Sequence, residues 1–212
     1  MSRPAKFSED QILDASRDLV VESGPAALTV TAVARLLGAP SGSLYHRFAG
    51  RDSLAAALWL RVVRRFQSGY LAKLGNPDPL MAALGAASHV VTWSRANLSD
   101  ARLLLQFRSS DLVHGPWPKA FRDESLRLQH QLETRIRGLQ AAFGATEPAS
   151  RHRVSYAVID VPYAAVRPAL VAGKQPPDST DVLVAETVEH TLKPLVVATG
   201  RENRHDETEC TD

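Results

Sequence analysis

Apolar positions recur along most of this chain at spacings of three and four. That is the mark of helices with one buried face, and runs alternating with period two are few. The first stripe, Ile12, Ala15 and Leu19, follows Ser8, a residue suited to capping. Glu9 and Asp10 fall in the first turn, where carboxylates suit the helix dipole, and Ser23-Gly24-Pro25 ends the helix. Thr29 reads as the cap of a second helix, with Val33, Leu36 and Leu37 facing inward and Ala34 small where a neighbour approaches. Gly38 supplies a turn. Ala39-Pro40 starts a short third helix, with proline at its first position, that ends at Phe48. A longer helix is expected from Arg51-Asp52 to about Leu74, with Leu54, Leu58, Val62 and Phe66 on one face.

Gly75-Asn76-Pro77-Asp78-Pro79 is the clearest break, and a domain junction is expected at or just before it. Beyond it, Leu80, Leu84, Ala87 and Val91 mark one helix. Leu103, Leu104 and Phe107 mark another, with Ser99 as its candidate cap. Pro116-Trp117-Pro118 opens a long helix carrying Phe121, Leu128, Leu132, Ile136, Leu139 and Phe143. A further helix runs from about Arg151 to Ala172, and Pro162 predicts a kink in it. After a loop at Gly173–Ser179, the last helix runs from about Thr180 to Thr199.

Composition narrows the class. A hydrophobic content of 44% is enough for a buried core, and no stretch of 18 clean apolar residues predicts a membrane span. The start, MSRPAKFSED, lacks the apolar core of a signal peptide. The single cysteine, Cys210, lies in a polar tail, residues 201–212, expected to be disordered. A cytoplasmic location is the expectation. Net charge is only +2, but residues 1–66 carry nine Lys/Arg against six acids, an asymmetry that suits a DNA-binding head on a neutral body.

Residues 29–48, TVTAVARLLGAPSGSLYHRF, have the layout of a helix-turn-helix, whose second helix can enter the major groove. With the flanking residues from Ser8 to Leu54, this stretch resembles the N-terminal DNA-binding domain of TetR-family transcriptional regulators. The likeness rests on Ala34, Gly38, Gly42, Leu44, Tyr45, His46, Phe48 and Leu54 in that order and spacing. Pro40 stands where the family pattern usually has Ser or Thr. The resemblance implies that Thr29, Tyr45 and Arg51 contact phosphates. It places Ser41, Gly42, Ser43 and His46 on the exposed side of the third helix, with Ser43 and His46 facing base edges and Gly42 permitting close approach. Arg47 is a further candidate, and Arg3 and Lys6 are candidates for phosphate or minor-groove contact. Leu44 and Phe48 read as core. Arg51 reads equally as a helix-start ion pair with Asp52. None of these residues is a bidentate guanine or adenine reader, which leaves DNA shape a share in specificity.

The resemblance also implies an all-α fold. A three-helix helix-turn-helix domain, residues 1–52, is joined by a long helix to a helical domain, residues 53–200, that binds a small effector and forms a homodimer. Trp93, Phe107, His114, Trp117, Phe121, Tyr156, Asp160 and Tyr163 are the candidate effector residues. Tyr156, Asp160, Tyr163 and Arg167 share a helix face that either lines a polar-edged pocket or is solvated. Val154, Val158, Val161 and Ala165, with Val182, Ala185, Val188, Leu192 and Val196, are stripes for a dimer face or for the protein's own core. No zinc-type Cys/His spacing, GxSxG, HExxH, P-loop or dinucleotide fingerprint occurs, so no metal, cofactor or catalysis is expected. The function expected is a ligand-responsive repressor of a palindromic operator. The alternatives are an all-helical enzyme and a protein-interaction module without DNA binding.

Overall fold

A computed structural model of the chain describes residues 7–106 and 117–206, with side chains as far as residue 196. The expectations for Arg3, Lys6, Phe107, His114, Cys210 and residues 207–212 lie outside the described residues. All the described elements are helical: α1 (Glu9–Ser23), α2 (Val30–Leu36), α3 (Ser41–Tyr45), α4 (Arg51–Lys73), α5 (Pro79–Ala96), α6 (Leu98–Gln106), α7 (Lys119–Ala142), α8 (Pro148–Ser155), α9 (Val161–Val171) and α10 (Ser179–Asp206). A 3-10 turn, Pro25–Ala27, lies between α1 and α2, and a π turn, Tyr156–Asp160, joins α8 to α9.

The described residues form two compact units. One holds those up to Arg65 together with Asn97–Gln129, and the other holds Phe66–Ala96 together with those from His130 onward. In the first unit, Ser8 caps α1 through a reciprocal pair. Its hydroxyl accepts from Gln11 N–H at 3.2 Å, and Gln11 Oε1 accepts from Ser8 N–H at 2.8 Å. Ile12, Leu13, Val20, Leu28, Val33, Leu44, Phe48, Leu54 and Leu58 form the core of this unit, and α1 packs on α2 and α6.

In the second unit, α5 buries Ala82, Ala83, Ala86, Ala87 and Val91 rather than the expected leucines, and Leu80 and Leu84 are half-buried. Methyl-sized side chains let α9 and α10 lie close against it. The run Pro148–Val171 is long and apolar enough for a membrane span by composition, but it packs on α5 and α10.

Several boundaries move for local reasons. Pro40 is the cap of α3 rather than its first residue, with φ −60° and ψ 128°, and α3 ends at Tyr45. The chain then turns through His46 and Arg47 to Phe48, whose N–H reaches Leu44 O at 2.9 Å. Leu36, expected inward, is 61% exposed. The inward face of α2 is Val30, Val33 and Ala34, and position 36 falls on the opposite side of so short a helix. Ser99 sits inside the first turn of α6 rather than before it. Proline 148, not Arg151, opens α8, with Glu147 as cap. The last helix continues to Asp206.

Candidate nucleic-acid interface

Thr29 fixes the start of α2 by accepting from Ala32 N–H at 3.0 Å. The turn between α2 and α3 depends on Gly38, whose φ of 57° is a left-handed conformation that most side chains resist. Ala39 N–H then donates to Ala34 O at 2.9 Å, closing α2. Buried Leu44 and Phe48 hold α3 from behind. Every other residue from Ser41 to Arg47 is exposed, so Ser41, Gly42, Ser43, Tyr45 and His46 form one open face. Ser43 Oγ donates to Pro40 O at 2.7 Å, which leaves its lone pairs as the outward-facing function. Ser53 Oγ bonds both the N–H and the carbonyl of Gly50, fixing the start of α4 beside this face.

The basic residues of this segment sort into two groups. Arg17 and Arg65 meet at buried Asp100, at 3.3 and 3.4 Å, and Arg17 also pairs with Asp14 and Asp18. Arg61 binds Asp14 at 2.9 Å, and Arg64 binds Glu124 at 2.8 Å. Hydrogen bonds from Arg127 and Arg64 hold the Glu124 carboxyl down at about 2. These four arginines are structural. Arg35 and Arg47 are exposed and make no ion pair among the described residues. Arg51 stands between the groups. Its guanidinium donates to Pro25 O at 3.0 Å and lies 3.5 Å from Asp52, but nearly half of the side chain remains exposed.

The candidate effector residues do not gather in one place. Trp117 and Phe121 are half-buried in the first unit, where Phe121 packs on Leu60, Val63 and Leu128. Trp93, in the second unit, meets Phe66 edge-on at 5.2 Å between ring centres, and Phe66 also stacks on Tyr70 and against His89. Tyr156, Asp160, Tyr163 and Arg167 do share a face, and that face is exposed. Val154, Val158 and Val161, with Val188 and Leu192, are buried in the unit's own core, whereas Val182, Ala185 and Val196 of the same α10 stripe are exposed. Further exposed apolar residues are Tyr156, Ile159, Tyr163 and Val171 before and along α9, and Leu183 on α10.

Solved structures share this fold. PfmR, a TetR-family transcriptional regulator from Thermus thermophilus, superposes with a TM-score of 0.65 at 16% identity, over 86% of this chain and 97% of its own. A transcriptional regulator from Rhodococcus sp. RHA1 gives 0.66 at 20% identity, over 89% and 97%. A TetR transcriptional regulator from Legionella pneumophila gives 0.63 at 13% identity, over 89% and 99%. No curated protein matches significantly. The family model described as bacterial regulatory proteins, tetR family, matches residues 12–58, the segment from α1 into α4 that carries the open α3 face. Residues 12–58 thus match the tetR family of bacterial regulatory proteins, and the fold of the chain is that of the solved regulators.

TetR-family regulators bind DNA operators and usually act as dimers. Sequence reasoning left two features of this chain unseen. It counted Arg35 only as charge, although the exposed α2 surface singles it out with Arg47 as a cation without an ion pair among the described residues. It also left open whether the valine stripes were interface or core, because a buried stripe and an interface stripe have the same composition and spacing.

Proposed function

We propose that this protein is a homodimeric, ligand-responsive DNA-binding regulator, a cytoplasmic repressor released from a near-palindromic operator by a small-molecule effector. The observation that carries the reading is the α3 face, where Leu44 and Phe48 anchor a helix whose remaining side chains are all presented to solvent. On this reading residues 1–52 are the DNA-binding domain. Thr29, Tyr45 and Arg51 hold phosphates, while Ser41, Gly42, Ser43 and His46 meet the groove. Arg35 and Arg47 add charge that no carboxylate among the described residues cancels. Residues 53–200 form the effector and dimer domain. A symmetric dimer sets two α3 helices about one DNA turn, roughly 34–36 Å, apart. The effector then acts by preferring a dimer in which that spacing is wrong, with a coupling of about 1–3 kcal/mol.

The test is fluorescence anisotropy with DNA flanking the protein's own gene, across a salt series, with an unrelated duplex and Tyr45→Ala as controls. Selective, salt-sensitive binding weakened by the substitution is the expected result. Failure to bind any duplex selectively, including pools from random-sequence selection, would favour the interaction-module or enzyme alternatives.

A further inference from the structure

Ser43 is exposed on α3, one position before buried Leu44, and shares a helix face with His46 and Arg47 at spacings of three and four. Its hydroxyl has one hydrogen, and that hydrogen is already committed: Oγ–H donates to Pro40 O at 2.7 Å. The acceptor is well fixed. Pro40 has a φ of −60° set by its ring, and the same carbonyl also takes Ser43 N–H at 3.0 Å. Towards anything outside the chain, Ser43 Oγ is therefore an acceptor and not a donor. That polarity excludes most of the groups on DNA. Phosphate oxygens, guanine N7 and O6, adenine N7 and thymine O4 all accept, and in the major groove only the exocyclic amino groups of cytosine and adenine donate. A serine side chain is short, so a base reaches it only where the α3 backbone itself comes close. Gly42, beside it, permits that approach. Its φ is not left-handed, a Cβ there would meet no other part of the protein within 4 Å, and alanine is the better helix former, so nothing inside the chain calls for glycine at this position.

We propose, resting on the DNA-binding reading above, that Ser43 sets operator specificity by accepting a hydrogen bond from the exocyclic amino group of a cytosine or adenine, at one position in each half-site. Guanine and thymine present an oxygen in that place. Oxygen then faces oxygen with no hydrogen between them, and these bases are rejected. Arg47, four residues on, is donor-only and complements Ser43, because it can take the acceptors that Ser43 refuses.

The full-length protein, Ser43→Ala and Ser43→Thr each select their preferred duplexes from a random-sequence pool. The expected result for the parent is cytosine or adenine at one position of each half-site, preferred by about three- to tenfold, the worth of one hydrogen bond. Ser43→Ala relaxes that position alone. Ser43→Thr, whose hydroxyl can make the same bond to Pro40 O, keeps the preference. The selected duplex is then remade with that base lacking its amino group, 2-pyrimidinone for cytosine or purine for adenine, and binding is followed by fluorescence anisotropy. The parent loses about the same factor, and Ser43→Ala loses nothing further. Gly42→Ala melts no lower than the parent yet binds the operator more weakly. Should Ser43→Ala fail to fold, Ser43→Cys, nearly isosteric but a poor acceptor, takes its place. Guanine or thymine at the position that depends on Ser43, or a Ser43→Ala selection identical to the parent's at every position, would overturn the proposal and leave the regulator reading standing. Recovery of no preferred sequence by the parent would overturn both.

Discussion

Tyr70 donates its hydroxyl to the carbonyl of Val158 at 2.8 Å, across 88 residues of sequence and inside the buried core of the second unit. In an α-helix the partner of that carbonyl would be the N–H of residue 162, and Pro162 has none. The proline therefore has two structural consequences in one place: the helix widens into the π turn at Tyr156–Asp160, and a phenol from α4 supplies a donor. Burial pushes the Tyr70 hydroxyl well above the ordinary tyrosine range, so it remains a donor under all ordinary conditions. Tyr70→Phe is expected to cost about 1–3 kcal/mol, the penalty of leaving a buried carbonyl without a donor. The cost should shrink in a Pro162→Ala background, where an amide returns at 162. Urea unfolding of the four members of the cycle measures the coupling, and strictly additive losses would break the link between the two residues.

The same pair of residues shows what the sequence could and could not convey. Pro162 announced a kink, and the spacing of Leu54, Leu58 and Val62 announced the helix that carries Tyr70, because both signals are local. That Tyr70 is the donor could not be read, since nothing near position 70 refers to position 158. The helix-turn-helix was legible for the same local reason, with cap, glycine turn and inward residues all within twenty positions. Leu36 was misplaced because α2 is too short for its apolar residues to define a face unaided. The exposed apolar residues Ile159 and Leu183 were hidden among equally apolar neighbours that fill the core.

A glycine on α4 makes room for a histidine on α5. A Cβ at Gly69 would collide with the imidazole of His89, which is held on one side by the Phe66 ring and by a 3.0 Å hydrogen bond from Nε2–H to Phe66 O. Gly69→Ala gains about 1 kcal/mol of helix propensity but meets an overpacking cost of about 1–3 kcal/mol, so a net loss is expected. Adding His89→Ala should recover part of that loss. Thermal melts of the single and double variants check this, and a double variant no more stable than Gly69→Ala would show that the clash is not the cause.

His89 also makes stability depend on pH. Desolvation by burial lowers its pKa below the ordinary histidine value, with Lys73 acting in the same direction and the bond to Phe66 O opposing. Because the folded state resists the proton more than the unfolded state does, this contribution is full above about pH 6.5, the unfolded value, and is lost progressively as pH falls toward the lower folded value. Melting temperature should therefore decline below pH 6.5 with a slope that His89→Gln reduces. An unchanged slope would assign the acid sensitivity to the carboxylates.

The division of the arginines predicts opposite phenotypes. Arg17→Ala removes one partner of buried Asp100 and should cost about 1.5–3 kcal/mol of stability, read by denaturant midpoint. Arg47→Ala removes no ion pair found among the described residues and should change stability by less than about 0.5 kcal/mol. If Arg47 contacts phosphate, its removal lowers the slope of log affinity against log salt by about one, uniformly across operator sequences. A salt slope indifferent to Arg47 would remove it from the DNA face.

The exposed apolar residues of α9 and α10 make the last test. Tyr163 and Leu183 are 48% and 60% exposed, which is costly to leave in water when several such residues share the outer sides of two helices. On the homodimer proposed above, a second copy meets these sides across a two-fold axis, so that each apolar residue is covered by its symmetry equivalent or neighbour. Ile159 and Leu183 lie away from the buried valines of the same helices, so Ile159→Lys with Leu183→Lys should leave the monomer folded. Sedimentation velocity should show a dimer for the parent chain and a monomer for the variant, with little change in helical content by circular dichroism. Operator affinity should fall with dimerisation, because a single α3 helix grips only a half-site. A variant that remains dimeric would place the interface on another surface, and a variant that becomes monomeric yet binds operator as tightly as the parent would separate dimerisation from DNA recognition.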